Sequence, residues 1–161
     1  MLTRRTALVL PLAAPLALAP APAIAVAAGD VIRLPLQPGV SATDAAESMR
    51  LRASSLNIRV LTEMPLSAQV AAMSGQKQRH ISIHQFCDPA TAQALVDANP
   101  DFAAWMPCRI ALVEDAQAKF WLVMTSLEPL VALVPPGLRA RAEKVRAVLA
   151  EIMVAGASGD L

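Results

Sequence analysis

The chain has little of what several common functions require. It contains no tyrosine, two tryptophans and three phenylalanines, so aromatics make up 3% of its 161 residues. That leaves few platforms on which bases could stack. The formal charge is only +1, so no basic field exists to draw in a phosphate backbone, and nucleic-acid binding is excluded as a leading reading. There are six glycines, and no glycine-rich loop follows the first predicted strand, which argues against a doubly wound nucleotide-binding fold. Two cysteines are present, enough for one internal bridge at most.

What is abundant is apolar: 55% of residues are hydrophobic, 17% are charged, and mean hydropathy is +0.47. Much of that excess sits at the front. "MLTRRTALVLPLAAPLALAPAPAIAVAAGD" has Arg4 and Arg5, then an apolar stretch, then small residues in an A-x-A pattern, the layout of a cleavable export signal over residues 1–27. Cleavage after Ala27 is expected, with Ala25 and Ala28 as alternatives. Pro11, Pro15, Pro20 and Pro22 interrupt the run, whereas a membrane span needs roughly 20 apolar residues. No stable membrane span is therefore expected once the signal is removed. "TRRTAL" partly matches a twin-arginine signal, with Ala7 where that signal prefers an aromatic. Residues 1–27 hold two arginines and no acids, so their removal takes the formal charge from +1 to −1. The expected location is periplasmic or secreted, where a cysteine pair is first read as a possible disulfide rather than a metal or catalytic site.

The remainder reads as one domain. Residues 28–40 form a lead-in with a first strand at "DVIRLPL". A helix starts at Ser41, with Asp44 three residues on, and Ala45, Met49, Ala53 and Leu56 line one face. "IRVLTEM" is a half-buried strand with Ile58, Val60 and Met64 on one side and Arg59 and Glu63 on the other. "PLSAQVAAMSG" is a short helix, and "HISIHQFC" a strand with Ile81 and Ile83 inward. Asp88 caps a third helix whose first turn holds Pro89. "CRIALVED" and "KFWLVMTS" form a hairpin about Ala116-Gln117. The last helix runs from Leu138 to about Ala155, which leaves 156–161 as a short flexible tail. The order β-α-β-α-β-α-β-β-α predicts an α+β sandwich, with helices on one face of a largely antiparallel sheet.

"LNIRVLTEMPLSAQVAAMSG", "FCDPATAQALVDANP", "MPCRIALVED" and "LEPLVALV", in this order, resemble the domain of unknown function 302 family, over residues 41–155. The blocks around Cys87-x-Pro89 and Pro107-Cys108 carry most of the likeness. The resemblance implies a compact α+β domain similar to the TATA-binding-protein-like arrangement, without that protein's DNA role. Asp88 stands where relatives usually have Asn, Ala103 or Ala104 where many have Gly, and Glu128 where many have Asp; a cap and a turn survive the first two changes. No activity follows from the family, and fold alone does not supply one.

Cys87 and Cys108 are the candidate thiols. Cys87, beside a helix N-terminus, is placed where the helix dipole favours thiolate. It is equally read as a small buried hydrophobe, or as one half of a bridge to Cys108 that closes a loop worth roughly 3 kcal/mol. Asp88 and Arg109 are possible supporting groups. His84, Cys87, Met106 and Cys108 form a soft donor set suited to Cu(I), which strand alternation opposes by sending His84 and Cys87 to opposite faces; otherwise no cofactor is expected. His80 and His84 read as packed or solvated strand residues, without the serine or aspartate motif of a triad. Glu114 and Asp115 read as solvated turn acids. The expected function is an exported accessory or binding protein whose cysteine pair meets a small molecule or a protein thiol. A passive stapled domain and a cysteine-dependent enzyme are the alternatives.

Overall fold

The structure, a computed structural model, describes residues 31–160; the expected export signal and the first residues of the lead-in lie outside them. Five strands make one sheet in the order β1-β5-β4-β3-β2, with every neighbouring pair antiparallel. They are β1 (Val31–Pro35), β2 (Arg59–Met64), β3 (Ile81–Cys87), β4 (Cys108–Glu114) and β5 (Phe120–Thr125). The helices are α1 (Ala42–Ser55), α2 (Leu66–Ser74), α3 (Pro89–Ala98), α4 (Glu128–Leu133) and α5 (Pro136–Ser158), with a 3-10 helix over Pro100–Trp105. The α+β class and the element order are those expected from the sequence. Among the described residues no helix is long and apolar enough to cross a membrane.

Local chemistry sets the boundaries. Ser41 Oγ accepts from the Asp44 backbone N–H, and the Asp44 carboxylate accepts from the Ser41 N–H, both at 3.1 Å, a reciprocal cap that satisfies two otherwise unpaired donors. Asp88 caps α3 by accepting from the N–H groups of Ala90 and Thr91, and Pro89 follows where its missing N–H costs nothing. In the β4–β5 hairpin, Asp115 accepts from the backbone of Gln117 and Lys119 and from Trp121 Nε1. It is a structural turn residue.

The core lies between one sheet face and the paired helices α1 and α5. Leu112 and Leu122 are cross-strand partners there, beside Ile110, Met49 and Ile152, all wholly buried. Each such side chain contributes roughly 1.5–3 kcal/mol by leaving water.

Three details differ from expectation. In β3 the inward residues are Ser82, His84 and Phe86, while Ile81 and Ile83 face the half-exposed side. Cross-strand register decides this, because His84 stands opposite Ile110 and Ser82 opposite Leu112, and partners across a ladder share a face. β2 is an exposed edge strand rather than half-buried, and its register to β3 shifts between Val60 and Thr62. This bulge places Glu63 opposite His84 and Val60 opposite Phe86, so both join the inward face. Finally, α5 continues three residues beyond Ala155, with Gly156 and Ala157 buried. A Cβ on Gly156 would stand 2.5 Å from Met49 Cγ. The bare glycine is what lets α1 and α5 approach, and the expected flexible tail is in large part packed helix.

Candidate functional site

Two cavities flank the buried ring of Phe86, which is 1% exposed and lines both. The first belongs to the thiols. Cys87 ends β3, Cys108 begins β4, and Cys108 stands opposite Phe86 in the ladder. The chain turns into α3 directly after Cys87, so both sulfurs reach one narrow cavity of about 40 Å³, space for a few water-sized groups. Its walls are apolar: Leu95, Trp105, Met106 and Leu130 with Ala142 and Val145 of α5. On the Arg109 side, Cys108 also borders a wider cavity of about 410 Å³ that includes Pro107, Met124 and Leu149. Cys108 therefore forms part of the wall between a narrow apolar chamber and a broader open one.

Electrostatics runs against the helix-dipole expectation. Burial raises the Cys87 thiol pKa, and the neighbouring Asp88 carboxylate raises it further. Burial pushes Cys108 up to about 11, with the adjacent Cys87 adding to the effect. Arg109 pulls Cys108 the other way, but less strongly than burial pushes it up. Asp88 is thus a helix cap that disfavours thiolate. Both cysteines are unbridged thiols in this structure.

The soft-donor set divides. Met106, Cys87 and Cys108 share the narrow cavity, whereas His84 lines the other one, across Phe86. Alternation along β3 separates His84 from Cys87, as their three-residue spacing implies, whereas Cys108, opposite Phe86, shares the His84 face and is divided from it by the Phe86 ring. Among the described residues no three of His, Cys, Asp and Glu converge to hold a metal ion.

The second cavity, of about 280 Å³, lies between the inward face of β2–β3 and α1. Its floor is polar. Ser82 Oγ is 3.0 Å from His80 Nε2 and 3.0 Å from His84 Nε2. Ser82 is 1% exposed and His84 4% exposed. His84 Nδ1 is 3.9 Å from Glu63 Oε2, near enough for charge to act but longer than a hydrogen bond. Burial lowers the His84 pKa, Glu63 raises it in part, and His80 lowers it. Across the cavity, α1 presents Glu47 and Arg50, which pair with each other.

No triad motif marks this second constellation in the sequence, yet the sequence carries a signal for it. His80-x-Ser82-x-His84 puts three hydrogen-bonding side chains on one face of a single strand. Apolarity alone assigns Ile81 and Ile83 to the inward side, whereas the structure turns the polar set inward.

Among curated proteins nothing matches. A crystal structure of an uncharacterized conserved protein DUF302 from Bacillus stearothermophilus is similar to this chain at 16% identity and a TM-score of 0.66, covering 80% of this chain and 98% of that one. At that identity the likeness speaks for the fold. The family model for Domain of unknown function DUF302 matches residues 33–156, most of the chain, and the protein therefore belongs to the DUF302 family.

Proposed function

We propose that this is an exported accessory or binding protein whose working site is the narrow cavity at Cys87 and Cys108, and that the two thiols serve a thiol–disulfide or sulfur-ligand role. The observation that carries the reading is the convergence of both thiols and the Met106 thioether on one apolar cavity. The raised thiol pKa values argue against a nucleophilic cysteine enzyme, since the thiolate is the attacking species. They suit a pair that exchanges slowly and holds its bridge firmly once formed. Bridge formation would release two protons and two electrons from the pair, accepted by a disulfide on a partner protein or a small-molecule disulfide, which leaves as two thiols. Export is supported by the leader-like residues 1–27, and it would place the pair where such oxidants prevail.

Cu(I) is the second reading, now with Cys87, Cys108 and Met106 as the donors and without His84. Thiolate and thioether ligands suit that ion, and its binding would have to displace protons from both thiols.

The test is thiol titration of the exported protein, native and denatured, with intact mass and metal content from the same sample. Thiols that appear only after reduction support the disulfide role. Copper released together with two newly reactive thiols supports the Cu(I) reading. Two free, metal-less thiols that a small disulfide fails to bridge would overturn both.

A further inference from the structure

The thiol cavity leaves the polar cavity beyond Phe86 unused, and its geometry stands without any reading of the cysteines. Ser82 has one hydroxyl hydrogen and two imidazole nitrogens at 3.0 Å, so it donates to one ring and accepts from the other. Glu63 lies beside His84 Nδ1 and favours the hydrogen there, which leaves His84 Nε2 as the acceptor. With that tautomer, His80 Nε2–H donates to Ser82 Oγ, and Ser82 O–H donates to His84 Nε2. The β2 bulge supplies the carboxylate by turning Glu63 onto the His84 face, and bulges that re-aim a side chain recur beside active sites. A nucleophile, a base within hydrogen-bond reach and a group behind the base make the general pattern of an activated hydroxyl, here with an adjoining cavity of about 280 Å³.

We propose that Ser82, His84 and Glu63 form an acyl-transfer site for small carboxylic esters, with Ser82 as nucleophile, His84 as general base and Glu63 as the positioning residue. Ser82 Oγ adds to the ester carbonyl carbon as its hydrogen passes to His84 Nε2. The bond from carbon to the alcohol oxygen breaks, the departing oxygen takes that proton, and the acyl group stays on Ser82. Water then loses a proton to His84 and adds to the same carbon. The Ser82–acyl bond breaks and Oγ regains the proton. Ester and water give acid and alcohol. The ester enters on the side where Val60 and Ala46 give an apolar wall; the charged groups facing His84 are Glu63 from β2, His80 from its own strand, and Glu47 and Arg50 from α1.

The experiment treats the purified full chain with a reporter-tagged fluorophosphonate and locates the adduct by peptide mass spectrometry, with p-nitrophenyl acetate turnover measured in parallel. The expected result is one adduct, on Ser82, with His84→Gln slowing labelling about 10²–10⁴-fold. Glu63→Gln, at an exposed position, is the variant that keeps the fold. It is expected to slow labelling several-fold and to move the acid limb of the pH–rate profile to lower pH, because the carboxylate normally raises the His84 pKa. A merely structural Glu63 would leave that profile in place. Absence of a Ser82 adduct on the folded wild type overturns the proposal, as does labelling that His84→Gln leaves unchanged.

Discussion

The two cavities share a wall and differ in almost everything else. One is narrow, apolar and sulfur-lined; the other is wider, with an imidazole–hydroxyl floor and carboxylates at its rim. Burial acts on both in the same physical sense, since desolvation penalises the charged form. The outcomes point in opposite directions on the pH scale. Neutral thiols resist losing a proton at high pH, whereas the neutral imidazole of His84 resists gaining one at low pH. One fold thus keeps neutral thiols and a neutral imidazole a single side chain apart.

Removing the shared wall should have the largest effect. Phe86→Ala is expected to cost about 3–5 kcal/mol, as large-to-alanine changes at buried aromatics do, measured by denaturant unfolding. A cost under about 1 kcal/mol would show that the cavities are not held apart by this ring. Gly156→Ala is the control at a residue that lines neither cavity: overpacking against Met49 costs about 1–3 kcal/mol and better helix propensity returns up to about 1, for a net loss of up to about 2. It should leave the titration of either cavity unaltered.

Smaller effects separate the cavities by pH. The Cys108 pKa is raised in the fold from the ordinary 9.0 to about 11, so its contribution to stability is fully present below 9.0 and is lost as pH climbs toward 11. Unfolding free energy followed over that window should fall less steeply in Cys108→Ala than in the wild type. His84 behaves inversely. Its folded pKa is depressed below 6.5, so the stability it contributes is present above 6.5 and is lost as pH falls through the folded value. Glu63→Gln removes the group that raises that value and should deepen the acid loss, read by thermal melts at stepped pH. The smallest change expected is at Ser48, whose buried hydroxyl has no hydrogen-bond partner. Ser48→Ala should be neutral or stabilise by up to about 1 kcal/mol; a clear loss of Tm would reveal a partner for that hydroxyl.

The legible part of the fold was its local chemistry. The Ser41–Asp44 and Asp88–Pro89 helix starts and the β4–β5 hairpin all follow from residue types within a few positions of one another. Cys87 and Cys108, at the end of one predicted strand and the start of the next, come together once those two strands pair. What sequence could not show were choices made between strands. An isoleucine alternating with histidine and serine gives no sign of which set faces inward, and apolarity pointed to Ile81 and Ile83; Ile110 and Leu112 across the ladder decided otherwise. The β2 bulge was hidden for the same reason, since "IRVLTEM" reads as clean alternation until a partner strand counts its residues. The thiol pKa direction was missed because the helix dipole is visible in sequence, whereas the walls contributed by α5 are not.

The same bulge has a consequence at the border of the sheet. β2 is an outermost strand with Arg59 to Glu63 exposed, the kind of edge on which foreign strands can template and aggregates grow. A strand arriving from another molecule would meet a ladder whose spacing changes between Val60 and Thr62, with Arg59 and Glu63 charged along its length. It could not stay in register past that point. The irregularity that delivers a carboxylate to His84 also disfavours strand addition at that edge.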